Sequence, residues 1–388
     1  MTASIPTPDV YRWPQISQID SAVIRDGHIE LTWVNGEQSR FHAMWLRDQC
    51  ACESCTHPVT REQRINLLDI DEDIAALSAD IDASGGLQVV WNQDSHQSLY
   101  DPGWLYAHSG LLDAIAIDPE TWTASELPTP PEFDGPEMMQ SDTSLLSVCE
   151  QLCRTGIVLL HDLPTDTDTV QSVAYRFGPI RESHFERVFN VISRADADSN
   201  AYTSDELPAH TDMPTRETPH GLQLLHCLKN EARGGEAIMV DGFRIAEEIR
   251  RHHPQDFETL TTQPWTFANR AGESDYRWSS PLFELDANQT MISVRLAAFL
   301  RAPLIAEFDQ VEPAYRALRR FITLTYDPDF RMTFDYAPGD LVIFDNRRVL
   351  HARGAFDPGT GHRHLQGTYI DRDDLYSTLR VLRHRLTA

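Results

Sequence analysis

The tripeptide His210-Thr211-Asp212 sets an imidazole and a carboxylate two residues apart. Residues i and i+2 of a β-strand point to the same side, so this pair can supply two adjacent metal ligands. Two imidazoles and one carboxylate on one side of a metal ion leave three positions open, which is the donor set of non-haem iron(II) sites. The spacing alone does not select a site, because a chain rich in His and acidic residues carries several such pairs by chance. His28-Ile29-Glu30 and His184-Phe185-Glu186 fit it equally well. The downstream context is more selective. Pro338-Gly339 forms a turn, Asp340–Phe344 reads as an apolar strand, and His351 stands just beyond it, where a third ligand is expected. Twelve residues after His351 comes Arg363, a permanently charged planar guanidinium suited to holding a carboxylate through two hydrogen bonds. The competing readings are a core histidine for His351 and a strand-surface ion pair for Arg363.

A second donor cluster lies near the N-terminus. Cys50-Ala51-Cys52-Glu53-Ser54-Cys55 offers three thiolates from one loop. In a chain with no visible secretory signal, such a cluster reads as a metal site before a disulfide framework. A closed tetrahedral zinc site needs a fourth ligand, and His57, His96 and His108 are the candidates. Cys149, Cys153 and Cys227 read as buried core thiols.

The elements that must position these groups fall into two parts. Ile29–Val34 and Gln38–His42 are strand-like runs around Asn35-Gly36, a strong hairpin signal. Leu87–Trp91 is another strand, and Asp101–Leu112 reads as a helix capped by Asp101. The stretch Glu126–Pro136, rich in proline and acid, reads as linker. Beyond it, Ser144–Cys153 and Asp168–Phe177 read as helices flanking the strand Gly156–His161. Leu222–Leu228, Glu236–Val240, Thr290–Arg295, Met332–Tyr336 and Leu365–Ile370 read as further strands, and Pro313–Tyr326 and Asp374–His384 as helices. Many short strands with turn residues between them predict an α+β chain whose larger part is a double-sheet jelly roll. The expected organisation is a β-rich metal-binding domain over 1–125, a linker over 126–141 and a catalytic domain over 142–388.

Composition narrows the partners. With 33 basic and 59 acidic residues the net charge is −26, and Lys229 is the sole lysine. Such a chain is expected to repel nucleic acid and anionic membranes. No stretch approaches the roughly 18 apolar residues of a membrane span. The N-terminus lacks a basic region followed by an apolar run, so a cytoplasmic protein acting on a small molecule is expected.

Taken in order, the segments Ala201-Tyr202-Thr203, His210-Thr211-Asp212, Gly221 to Cys227, Gly234-Gly235, Val240 to Phe243, Phe344-Asp345-Asn346, His351, Arg363 to Gly367 and Tyr369 resemble the γ-butyrobetaine and trimethyllysine hydroxylases. These are taurine-dioxygenase-like 2-oxoglutarate oxygenases with a double-stranded β-helix (jelly roll) catalytic domain. The resemblance implies iron(II) on His210, Asp212 and His351, 2-oxoglutarate on Arg363 with Leu225 lining its pocket, and room for ascorbate as an accessory reductant. It implies a structural zinc on Cys50, Cys52, Cys55 and His96, and a homodimer. It also implies an aromatic cage for a trimethylammonium group, built from Tyr202, Tyr369, Phe185 and Phe189, since aromatic faces attract cations. Two departures stand out. Phe185 and Phe189 replace a Tyr and a Trp of the family, and Ala297 and Ala298 stand near the positions where the family has two consecutive Asn. The implied reaction is hydroxylation of a small betaine, γ-butyrobetaine to L-carnitine. A trimethylamino-phosphonate, a sulfonate or trimethyllysine is the alternative substrate, and a non-catalytic metal-binding scaffold the alternative of another class.

Overall fold

The runs Ile157–His161 and Leu341–Asp345 are apolar at nearly every position, which a strand tolerates only when both of its faces are covered. In the computed structural model, which describes residues 5–111, 117–183, 186–192, 203–271 and 274–387, they lie side by side in one sheet. Alternation along the strands then sorts side chains by face. Ile157, Leu159, Val342 and Phe344 point to one side, and Val158, Leu160, Leu341 and Ile343 to the other.

The described residues form two compact units, Ile117–Leu382 and Met1–Ala116 with Arg383–Ala388. In the larger unit the main sheet runs Glu132–Asp134, Ile157–His161, Leu341–Asp345, Leu222–Asn230, Arg363–Ile370, Phe189–Ile192. A second sheet runs Leu207–His210, Val349–Arg353, Ala237–Asp241, Met332–Phe334. The two sheets share one core, in which Phe344, Cys227 and Leu365 of the first meet Met239, Val349 and Met332 of the second. This is the expected jelly roll. Helices Asp142–Thr155 and Thr169–Phe177 cover the outer face of the main sheet through Leu145, Val148, Val170 and Phe177. Gly242–His252, Pro254–Thr262 and Phe308–Thr325 cover the second sheet through Ile249, Leu260 and Phe321. The last of these helices begins before Pro313, which sits inside its first two turns.

The Pro-rich stretch read as a linker departs from expectation. Glu132–Asp134 is an edge strand parallel to Ile157–His161, and Gly135–Gln140 is a helix. Asp134 caps that helix through the Glu137 amide, and Pro136 sits in its first turn, where no amide is needed. Composition is thus a poor guide here, because the same residue types serve as helix-start signals. Segment 126–141 belongs to the larger unit, whose limit lies at 116/117.

In the smaller unit, strands Ile19–Arg25, His28–Trp33 and Gln38–His42 form one antiparallel sheet, and Ala76–Ile81, Leu87–Trp91 and Gln97–Tyr100 another. The hairpin turns at Asn35-Gly36, with Gly36 at positive φ. Asp101 caps a helix as expected, but that helix covers only Pro102–Ala107.

Candidate active site

Antiparallel pairing brings the two histidines together. His210 ends the strand Leu207–His210 and stands opposite His351 in the strand Val349–Arg353. Their rings lie 4.1 Å apart. Asp212, two residues on, points its Oδ1 at both, 3.3 Å from His210 Nε2 and 3.8 Å from His351 Nε2. Pro208 O lies 2.9 Å from His210 Nδ1, which fixes the ring and leaves Nε2 for a metal. Burial pushes His351 down to about 3, helped by the neighbouring His210, so its imidazole is neutral. Burial alone would raise the Asp212 carboxyl, but His351, His210 and the Tyr369 hydroxyl hold it well below the usual range. His351 and Asp212 therefore rest in the protonation states that a metal requires, and the three side chains match the donor set of a facial iron(II) site.

Two further residues hold Asp212. Asn346, fully buried, accepts the Asp212 amide at 2.7 Å and donates to the Asp212 carbonyl at 3.0 Å and the His220 carbonyl at 3.2 Å. Tyr369 donates its hydroxyl to Asp212 Oδ2 at 2.6 Å. Its ring stacks between Phe189 at 5.1 Å and His220 at 4.3 Å. Phe189 reaches that position only because residue 367 is glycine, since a Cβ there would lie 2.2 Å from the Phe189 ring. Leu225 packs against the same cluster of Phe189, Met213 and Tyr369. Of the four aromatic residues expected around the substrate, Phe189 and Tyr369 meet here, while Phe185 and Tyr202 lie outside the described residues.

Arg363 opens the strand Arg363–Ile370 and is 8% exposed. Among the described residues it forms no ion pair, and its buried Nε has no hydrogen-bond partner. Its Nη2 makes a long contact of 3.5 Å to the Gly235 carbonyl. Burial lowers its affinity for its proton, with Tyr336 and Cys227 opposing. A buried guanidinium with donors to spare fits a carboxylate ligand. Gly235 is at positive φ and stands close to Arg363, where a Cβ would come within 3.3 Å of Nε.

Sequence reading missed several neighbours. Arg353 donates to the carbonyls of Thr203 and Asp205, and Arg295 to those of Pro214, Arg216 and Glu217, so both pin loops beside the motif. Phe299 lies edge-on to His210 at 5.3 Å. Asn346 was visible as a polar residue ending an apolar run; nothing local marked Phe299.

The cysteine cluster closes on one histidine. His96 Nε2 lies 3.3, 3.7 and 3.6 Å from the sulfurs of Cys50, Cys52 and Cys55. Tetrahedral zinc with bonds of about 2.3 Å to sulfur and 2.0 Å to nitrogen would separate these atoms by about 3.5 Å. His57 instead caps a turn through the amides of Val59 and Thr60, and His108 contacts the Trp104 carbonyl. A hydrogen bond with Cys50 brings Cys55 down to about 4, and buried Arg47, 3.4 Å from its sulfur, also favours the thiolate. His28 and Glu30 pair at the surface, 3.1 Å apart. The cysteine–histidine cluster and the His210 group are the two sets of metal-ligating geometry among the described residues.

A family model described as taurine catabolism dioxygenase TauD, TfdA family matches residues 119–369. The chain belongs to this family. A second model, gamma-butyrobetaine hydroxylase-like, N-terminal, matches residues 23–106 of this dioxygenase. Gamma-butyrobetaine dioxygenase of Pseudomonas sp. strain AK-1 is 43% identical over 378 residues, which cover 96% of the chain and 98% of that protein. The human gamma-butyrobetaine dioxygenase is 30% identical over 95% of the chain and 98% of its own length. Trimethyllysine dioxygenase of Meyerozyma guilliermondii is 29% identical over 95% and 97%. Among solved structures, AAD-2 in complex with Mn(II) and N-oxalylglycine matches with a TM-score of 0.50 at 13% identity, over 63% of this chain and 96% of that one, a likeness of fold.

Proposed function

We propose that this dioxygenase uses iron(II) and 2-oxoglutarate to hydroxylate a small betaine, converting γ-butyrobetaine to L-carnitine. The observation that carries the reading is the convergence of His210 Nε2, His351 Nε2 and Asp212 Oδ1 beside the ring pair of Phe189 and Tyr369. Bound iron would couple oxidative decarboxylation of 2-oxoglutarate, to succinate and carbon dioxide, with insertion of one oxygen atom of O2 into a substrate C–H bond. The side chains do the rest. His210, His351 and Asp212 hold the ion with three positions open. Arg363 takes the far carboxylate of 2-oxoglutarate, with Leu225 lining the pocket. Phe189 and Tyr369, with Phe185 and Tyr202, face the trimethylammonium group, and packed aromatic walls keep water from the reacting bond. Cys50, Cys52, Cys55 and His96 hold a structural zinc, which suits a reducing cytoplasm because no disulfide joins any of the six cysteines. A homodimer belongs to the same reading and rests on the family resemblance.

Ala297 and Ala298 favour a second substrate. Thr211 donates its amide to the Leu296 carbonyl at 2.7 Å, so this segment lies against the iron motif. Ala297 is buried in the core, and neither alanine can hydrogen-bond a substrate's polar end. Another trimethylammonium acid, such as a trimethylamino-phosphonate, is the fit on that ground.

The test is iron-dependent succinate release with γ-butyrobetaine, its neutral tert-butyl isostere, a trimethylamino-phosphonate and a sulfonate. A cation on an aromatic face contributes about 0.5–2 kcal/mol per contact, so the neutral isostere should be used several-fold less efficiently than the betaine. Turnover with the sulfonate and with no quaternary amine would overturn the cage. Absence of succinate under every condition would favour the scaffold.

A further inference from the structure

We propose that Tyr369 is a positioning residue for the metal ligand Asp212, selecting which carboxylate oxygen faces the metal. This rests on the reading of His210, Asp212 and His351 as the iron site.

The two oxygens of Asp212 are not equivalent. Oδ1 lies 3.3 Å from His210 Nε2 and 3.8 Å from His351 Nε2, and these three atoms converge. Oδ2 receives the Tyr369 hydroxyl at 2.6 Å. An O–H donor to a carboxylate at that separation is a strong, charge-assisted bond. It occupies Oδ2 and leaves Oδ1 as the ligand atom, so the carboxylate binds through one oxygen. The distinction matters because a carboxylate bound through both oxygens would take one of the positions that the co-substrate and dioxygen need.

The hydroxyl is well placed to do this because neither partner is free to turn. Asn346 grips the amide and carbonyl of Asp212 at 2.7 and 3.0 Å, which fixes the backbone from which the carboxylate hangs. The Tyr369 ring is 4% exposed and lies between His220 and Phe189, with interplanar angles of 21° and 30°. Its strand is held in register, Tyr369 opposite Gln223. Tyr369 thus links the aromatic stack beside the proposed substrate pocket to the metal ligand through its hydroxyl, and a ligand that moves the ring moves the hydrogen bond.

The test is Tyr369→Phe, which keeps the ring and removes only the donor. The probe is Mn(II) added without substrate to zinc-replete, iron-free protein and titrated by electron paramagnetic resonance. Loss of a partner that orients a metal ligand typically weakens metal binding about 10–100-fold, so a rise in Kd of at least tenfold is expected, with the metal-free protein still folding cooperatively. Visible absorption of the Co(II)-loaded variant should also differ from wild type, because the carboxylate's binding mode changes. A Kd within threefold of wild type overturns the proposal, and so does a weakened Kd accompanied by a lowered melting temperature and an unchanged Co(II) spectrum. His210→Ala serves as the reference. If it too binds Mn(II) like wild type, the iron-site reading itself fails; if it loses Mn(II) while Tyr369→Phe does not, only the role of Tyr369 fails.

Discussion

Single side chains carry the chemistry here because burial leaves them few alternatives. Arg363 is the clearest case. Its guanidinium is buried, pairs with no carboxylate among the described residues and keeps an unpartnered Nε. Arg348 shows the opposite arrangement, with Asp241 beside it at 2.8 Å and the carbonyls of Glu120 and Arg154 accepting its remaining donors. One arginine is saturated, and the other keeps a buried donor without an acceptor. Arg363→Leu should therefore leave the fold intact and impair the co-substrate. Breaking a buried charge pair costs roughly 3–5 kcal/mol, so the 2-oxoglutarate concentration for half-maximal turnover should rise on the order of a hundredfold or more. Titration of succinate release against 2-oxoglutarate checks this, and an unchanged requirement would assign that carboxylate to another residue.

At the scale of elements, the strand Leu222–Asn230 shows how one run serves two faces. Leu222 and Leu224 pack under the outer helices, while Leu225 and Cys227 face the inter-sheet core. His226 interrupts this pattern. It is fully buried, neither ring nitrogen has a hydrogen-bond partner, and burial pushes its imidazole down to about 4. The folded protein therefore holds it neutral where the unfolded chain would protonate it. Above about pH 6.5 both states are neutral and nothing is lost. As pH falls from about 6.5 towards 4 the unfolded state gains a proton that the folded state refuses, at about 1.4 kcal/mol per pH unit. His226→Leu should raise the melting temperature more at pH 5 than at pH 7. Equal gains at the two pH values would show that the ring finds a proton acceptor in the fold. The Pro-rich segment before Asp142 teaches the converse lesson. Its strand and helix escape a compositional reading because partly buried Phe133 and buried Met138 supply the apolar contacts, and two such residues make a weak periodic signal.

For the whole molecule, the two compact units answer to different metals. The smaller unit has a core of Trp33, Trp91, Leu31, Leu46 and Val89, and its cysteine loop lies beyond the regular strands. A thiolate site at such a loop contributes folding energy directly, since the unfolded chain does not assemble it. Cys52→Ser should lower the zinc content of purified protein from about one ion per chain and lower its melting temperature together. Metal analysis and calorimetry on the same preparation measure both. Zinc-free wild-type protein with full stability would remove the site from the account. The proposed iron ligands should behave differently. They border an open position, so their loss should cost activity and little stability.

Much of the chemistry was legible in the residues. The imidazole and carboxylate of His210 and Asp212, the three thiolates of Cys50, Cys52 and Cys55, and the isolated cation of Arg363 are properties of side-chain type and short spacing. So was the jelly roll, because short apolar runs separated by turn residues have few other ways to bury two faces. Partner choice was not legible. His96 joins a thiolate loop 41 to 46 residues away, Asn346 clamps Asp212 across 134 residues, and Tyr369 reaches the same carboxylate across 157. Tyr369 had been expected only as a face for a cation, and its hydroxyl turned out to donate to the Asp212 carboxylate. Coordination and hydrogen bonding require atoms within about 3–4 Å. Sequence spacing carries no such distance once a chain returns from far away, so strand register and sheet packing alone decided which of several equivalent side chains met.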